Sequence, residues 1–514
     1  MTAPRALHLP EPRLLFAHEQ LSEYVKDGLF LFGPLSALPG SGGMRFGVIG
    51  APDGLRRFNA WSAQVRAGIP CADLRAHRMS WPGFAAVFDA TWPEKPVAQI
   101  VVDADRVRET IRRANRSEAV FETVAIYEKA IEQYLAREEI RPDFWFVIIE
   151  EEVYRLGRPE QKVPLAVRTK SELPMSSKSA RRLAQGGAGW LFPDLQADVE
   201  RTLRVDEYEV NFHNQLKARL LKHHVVVQII RETTIAPDEF VDRRGRQLRN
   251  VDDPSTIAWN LCTTAFFKAQ GRPWQLYGVR PGVCYIGIVF KQLHQPTATA
   301  NACCGAQMFL DSGDGVVFKG LDGNWFEGDK KDCHLTTETA AELMDRVIEM
   351  YKDKHGGEPP SELFVHGRVR FNDNEWQGFR SAAPAATRIA GVRIRRSKTH
   401  RLYRMEGPTP VLRGTALVLS RNRGLLWSLG YVPRLQTYPG WEVPAPLEVE
   451  VSKGEADIEQ VLSDVLGLTK LNYNACIFGD GMPVTLRFAD NVGEILTAAP
   501  GAETYKPLPF RYYI

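Results

Sequence analysis

Residues 143–150, DFWFVIIE, decide the reading of this chain. Every residue between Asp143 and Glu150 is apolar, the run has the length of a strand, and a strand needs that composition when both of its faces are covered. Working outward, AQIVVD (98–103) is a second strand candidate. Between the two, Val120, Val124, Tyr127, Ile131 and Leu135 recur at three- and four-residue spacing, which predicts a helix. Beyond Glu150, the Ser/Lys-rich stretch from Lys170 to Arg182 reads as an exposed loop, and a helix over 208–222 leads into VVVQII (225–230). Strand and helix in turn imply a parallel sheet covered by helices, so the fold class is α/β. Earlier still, the turn PGSGG (39–43) precedes a short buried strand, MRFGVIG (44–50). That order, with no GK[ST] following, is wrong for a phosphate-binding loop.

The pattern changes after Pro273. VCYIGIVF (283–290) and ACCGAQMFLD (302–311) read as strands, and DSGDG (311–315) as the hairpin turn into VVFKG. A helix with Leu343, Val347, Met350 and Tyr351 on one face ends near Gly356, before the strand ELFVHG (362–367). A meander followed by alternating helix and strand fits a ribonuclease-H-like layer, although several other mixed α/β folds share that periodicity.

Composition sets the outer bounds. The 514 residues predict two to four units at roughly 100–200 residues each. With 44% apolar and 25% charged residues the chain is unlike disordered, collagen-like or coiled-coil sequences. Sixty-five Lys and Arg against 62 Asp and Glu leave +3, so any nucleic-acid contact must come from a local basic site. The seven cysteines form no CxxC pair, which argues against a zinc ribbon or disulfide framework. The amino terminus has no secretory pattern, and no stretch approaches the ~20 apolar residues of a membrane span. A cytoplasmic location with reduced thiols is expected.

The densest chemical signal is NFHNQLKARLLKHH (211–224). Phe212, Leu216 and Leu220 form a burying stripe, and His213 and Lys217, four apart, share the neighbouring face. Gln228 follows in the next strand, and Lys268 lies in the apolar helix AWNLCTTAFFKAQG (258–271), where a buried amine needs an anionic partner. At the carboxyl end of an α/β sheet such a cluster holds a phosphate. The same spacing also suits a solvated helix face, and Lys268 can equally snorkel. His223 and His224, at a helix end, suit its carboxyl-terminal dipole better than a metal.

The strings HNQLKARLL, QIIRETT, FFKAQGRPWQL, VCYIGIVF, LFVHGRVRFNDNEWQGF and LTKLNYNA occur in that order over most of the chain. Together they resemble the MID and PIWI modules of a short prokaryotic Argonaute. The resemblance implies a Rossmann-like MID domain (96–272), an RNase H-like PIWI domain (273–514) and a linker-like segment (1–95) packing back onto them. It implies that His213, Lys217, Gln228 and Lys268 bind the 5′ phosphate of a guide, joined by the carboxylate of Ile514, with Mg²⁺ bridging that carboxylate and the phosphate. Thr264 departs from the Gln that some relatives carry four residues before the Lys.

Slicing members of that family gather carboxylates around two metal ions. The position resembling their first Asp is Val289, no Asp or Glu occurs between Asp253 and Asp311, and His366 stands near the second. Asp490 is left as a match to the last of the set, so no guide-directed cleavage is expected. The resemblance then implies a sensor in antiviral and plasmid defence: guide RNA is bound, complementary single-stranded DNA recognised, and an APAZ-containing partner switched on. A TIR-APAZ partner is the first choice and a sirtuin-like one the second, both consuming NAD in abortive infection, in a heterodimer that multimerises on activation. No TIR or sirtuin-like signature occurs here, which places the effector on another chain. The alternatives are an active guide-directed endonuclease, the partner of a nuclease-type effector, or a nucleotide-binding α/β enzyme.

Overall fold

The computed structural model describes all residues except 1–3, 41, 72, 74–76, 187–192, 293–300, 310–314, 324–332, 439, 441 and 502–507. Phe144–Ile149 is a strand buried along its whole length. It lies in a four-stranded parallel sheet in the order Ala98–Val101, Phe46–Gly50, Phe144–Ile149, Val227–Arg231. The unbroken apolar run follows from the two-residue period of a strand. Phe144, Phe146 and Ile148 share one core with Phe58 and Trp61 of helix Pro52–Ala67 and Trp259 of helix Pro254–Lys268. Trp145, Val147 and Ile149 share the other with Val120, Val124 and Tyr127 of helix Arg116–Arg137 and with Phe212 and Leu216 of helix Phe212–Leu220. Short polar side chains start these helices: Asn115, Asn211 and Asp253 each accept a backbone N–H of the first turn.

Two expectations need correction here. Residues 1–95 are not a linker-like segment throughout, because Phe46–Gly50 lies between two other strands of the sheet and Pro52–Ala67 covers one of its faces. Only the first part of that segment packs back onto the rest, with Arg5–His8 pairing antiparallel to Thr415–Ser420. The stretch 170–182 is not all loop either, since Ser177–Gly186 is a helix in which Ala180 is buried.

The second sheet has ten strands. At its centre Val283–Gln292, Glu362–Gly367 and Arg388–Arg396 run parallel. Asn301–Phe309 pairs antiparallel with Val283–Gln292 and with Gly315–Gly323. The turn expected at DSGDG lies, but for Gly315, outside the described residues. Burial alternates again. Cys284, Ile286 and Ile288 face helices Thr337–Lys354 and Asp373–Ala382, while Tyr285 and Val289 share a core with helices Ile458–Leu468 and Val484–Leu496. Helix Val484–Leu496 crosses so close to the central strand that a Cβ at Gly287 would overlap the carbonyl of Thr485. The arrangement is a mixed α/β fold with a ribonuclease-H-like second sheet. Among the described residues no helix is long and apolar enough to cross a membrane.

Candidate functional site

Strands Phe144–Ile149 and Val227–Arg231 end side by side, and helix Phe212–Leu220 lies on the face they share. Its apolar stripe is pinned there by Phe212, whose ring meets Tyr127 edge-on at 5.4 Å between centroids. The next face of the helix therefore looks over the carboxyl ends of the strands. There a cavity of about 710 Å³ opens, walled on the far side by helix Val484–Leu496 and by Tyr513 and Ile514. A crevice at the carboxyl ends of parallel strands is where α/β sheets bind ligands.

His213, Lys217, Gln228 and Ile514 all line this cavity. Lys268 lies just beneath them, fully buried, and its Nζ donates to the Val227 carbonyl at 2.7 Å and to the backbone oxygen of Ile514. Lys217 Nζ donates to the Tyr513 carbonyl at 3.1 Å. The five residues predicted from sequence are thus brought together from four separate stretches of chain. Neither lysine has an Asp or Glu side-chain partner among the described residues. Burial pushes Lys217 down to about 7, and burial together with the nearby Lys217 charge holds Lys268 well below its ordinary value. His213 is exposed to the cavity, yet enclosure by its walls and the Lys217 charge push the imidazole down to about 3, so the ring is neutral near pH 7. Two buried amines and a neutral ring thus meet at the cavity, with no Asp or Glu side chain bonded to either amine among the described residues.

Three further lining residues carry charge or stacking surface that the sequence reading did not single out: Tyr154, Arg158 and Arg231. The Arg231 and Arg158 guanidinium carbons lie 3.6 and 3.9 Å from the Tyr154 ring centroid. Arg231 is held in place by Glu151, at 2.6 Å. Arg231 stood inside the string QIIRETT. Tyr154 and Arg158 belong to no periodic pattern, and only folding brings them to Arg231.

Oxygen donors suited to a hard cation such as Mg²⁺ are present at the cavity in the Gln228 and Asn491 amides and at Ile514. Thr264 is not among them, being buried with its hydroxyl donating to the Asn260 carbonyl at 2.9 Å.

The second candidate region lies where Val283–Gln292 and Glu362–Gly367 end. Val289 and His366 are buried, and His366 Nδ1 meets Thr485 Oγ1 at 2.9 Å. Burial pushes that imidazole down to about 3. Asp490 is reached by Lys291 at 2.7 Å and Arg368 at 3.1 Å, and Lys291 also meets Glu494 at 3.2 Å. Burial favours the protonated form of Asp490, but its bonds to these cations outweigh that, and the carboxyl titrates below its usual range.

Elsewhere, Glu128, Glu132 and His223 bring potential ligand atoms within 4.8 Å of one another. Arg219 and Lys222 already neutralise the two carboxylates, and His223 bonds Glu132 at 2.7 Å, making this an ion-pair staple between helices.

No protein-family model and no curated protein matches the chain. Solved structures similar to it include Clostridium butyricum Argonaute bound to a guide DNA and a 19-mer target DNA, with 14% identity, a TM-score of 0.61, and coverage of 97% of this chain and 53% of that one. Aa-Ago with externally bound siRNA matches at 13% identity and TM-score 0.55, over 99% of this chain and 56% of that one. Drosophila Piwi matches at 11% identity and TM-score 0.54, with the same two coverages. The chain spans about half the length of these proteins, and the likeness establishes an Argonaute-like fold.

Proposed function

We propose that this chain is a guide-loaded nucleic-acid sensor of the short prokaryotic Argonaute kind, which binds but does not cut. In this reading His213, Lys217, Gln228 and Lys268 take the 5′ phosphate of a guide RNA, and Mg²⁺ links that phosphate to the Ile514 carboxylate. Complementary single-stranded DNA pairs with the guide, and the protein reads backbone charge and duplex shape while base pairing supplies specificity. Pairing biases a two-state interface with an APAZ-containing partner, TIR-type first and sirtuin-like second, whose NAD consumption serves defence in the cytoplasm.

The observation that carries the reading is the pair of buried lysines without side-chain carboxylates. A buried ammonium destabilises a fold unless an anion compensates it; Lys268 reaches the Ile514 oxygen, but among the described residues Lys217 has only the Tyr513 carbonyl, and packing alone gives no account of that. The absence of cutting is supported by Val289 and His366, which offer no carboxylate, and by Asp490, which is engaged by two cations. In PIWI-type chemistry several carboxylates must hold the metal pair.

The test is direct binding of short RNAs that differ only in a 5′ phosphate or 5′ hydroxyl. The parent protein should prefer the phosphate, and Lys217→Ala with Lys268→Ala should remove the preference. The variant should also lower the salt slope of binding by about 1.4 for two lost phosphate contacts. Lys217→Met alone, which keeps the buried stem, should remove part of it. Equal affinity for both ends, or Mg²⁺-dependent cutting of matched DNA at a fixed place, overturns the reading.

A further inference from the structure

Asn214 follows His213 on helix Phe212–Leu220 and is buried. Its side chain faces two ways: Nδ2 donates to a Glu209 carboxyl oxygen at 3.2 Å, and Oδ1 lies 3.1 Å from His213 Nδ1. Glu209 is itself fixed through its backbone, whose N–H donates to Ala498 and whose carbonyl accepts from Gln215 Nε2 at 2.9 Å. Burial and the Glu494 charge push the Glu209 carboxyl up to about 7, and in either protonation state it keeps an oxygen to receive the amide. With its nitrogen committed to Glu209, Asn214 can offer the imidazole only an oxygen. Nδ1 is then the ring nitrogen that carries hydrogen, and Nε2 is left as an acceptor.

This rests on the cavity being a phosphate site. We propose that Asn214 and Glu209 are positioning residues that lock His213 as its Nδ1–H tautomer, so that a 5′ phosphate is taken up together with a proton and not as a bare dianion. A lone pair at Nε2 repels a phosphate oxygen unless a hydrogen lies between them. That hydrogen comes either from the monoanionic phosphate, whose second ionisation falls near pH 6, or from solvent. It sits in the N···O contact, and no other bond forms or breaks. The charged groups that the other elements bring to the ring are Lys217 on its own helix, Lys268 from Pro254–Lys268 and Arg158 beyond Glu151–Leu156. Arg231 at a strand end and Glu494 on Val484–Leu496 share the cavity. Enclosure by the cavity walls, helped by these cations, keeps the empty ring neutral, so the proton arrives with the ligand.

The first measurement is the ¹⁵N spectrum of the parent protein, with His213 assigned by loss of its signal in His213→Asn. An Nδ1–H pattern is expected, and an Nε2–H pattern overturns the proposal without any other variant. Glu209→Gln keeps an acceptor and should preserve the pattern, whereas Glu209→Ala or Asn214→Leu should let Nε2–H appear. The second is guide affinity from pH 6.5 to 8.5. Lys217 contributes a slope to every protein, but the parent should fall more steeply than Asn214→Leu, by up to tenfold per pH unit, because the freed ring can donate to the dianion directly. Equal slopes overturn the proposal. If the parent binds 5′-phosphate and 5′-hydroxyl guides alike, the phosphate reading itself fails, while the spectrum still reports the tautomer.

Discussion

Lys217 is buried on a helix, and among the described residues only the Tyr513 carbonyl receives its ammonium. Its amine titrates near 7 in the folded chain, against about 10.4 when unfolded. Between those values the unfolded chain binds the extra proton, so stability should rise with pH from 7 to 10, by at most about 1.4 kcal/mol per unit. Below 7 the full cost is present. Urea titrations of the parent and of Lys217→Met should show a steeper rise in the first, the difference between the two slopes being the share of Lys217, since Lys268 and Lys470 add slope to both. At this scale the cluster was legible, because His213, Lys217, Gln228 and Lys268 stand in strings with a recognisable order. Tyr154 and Arg158 were not, since a residue beyond a strand end shows no periodicity and acquires its role from Arg231, more than seventy residues on.

At the scale of the element, Gly287 shows how a strand and a helix fix one another. Gly287→Ala should force helix Val484–Leu496 off the strand at Thr485, costing about 1–3 kcal/mol, read as a lowered denaturation midpoint. The strands of both sheets were legible wherever both faces are buried, as in Phe144–Ile149, because an uninterrupted apolar run has few other uses. The helix at Ser177–Gly186 was hidden by its Ser/Lys content: few of its side chains are buried, so little apolar periodicity is needed to hold it. Phe46–Gly50 was recognised as a buried strand, yet its membership of the sheet was missed. Its neighbours in the sheet come from residues 98–101 and 144–149, and pairing at that separation leaves no local mark.

Across the whole molecule, the four- and ten-stranded sheets and the amino-terminal segment share one continuous apolar core. Glu11 is one of the ties. It receives Arg413 at 3.0 Å and Lys470 at 2.7 Å, both of them buried cations. Burial pushes Lys470 down to about 8, even with Glu11 beside it. Glu11→Ala leaves both cations uncompensated and should lower stability by about 3–5 kcal/mol, measured by urea denaturation. A loss below 1 kcal/mol would mean that solvent reaches the pair. The α/β class and the order of the two halves were visible in the alternation of patterns. The boundary between the first segment and the first sheet was not, because strand Phe46–Gly50 inserts between strands that follow it in the chain.

Glu494 belongs to two neighbourhoods, lining the cavity on one side and pairing with Lys291 on the other. An anion entering the cavity must repel Glu494, and the Lys291 and Asp490 pair then feels the altered field. Were an anion bound there, reciprocity would make the coupling run both ways: whatever rearranges the cations at Asp490 would change the hold on the anion by the same factor. One glutamate is thereby shared by the two charge clusters.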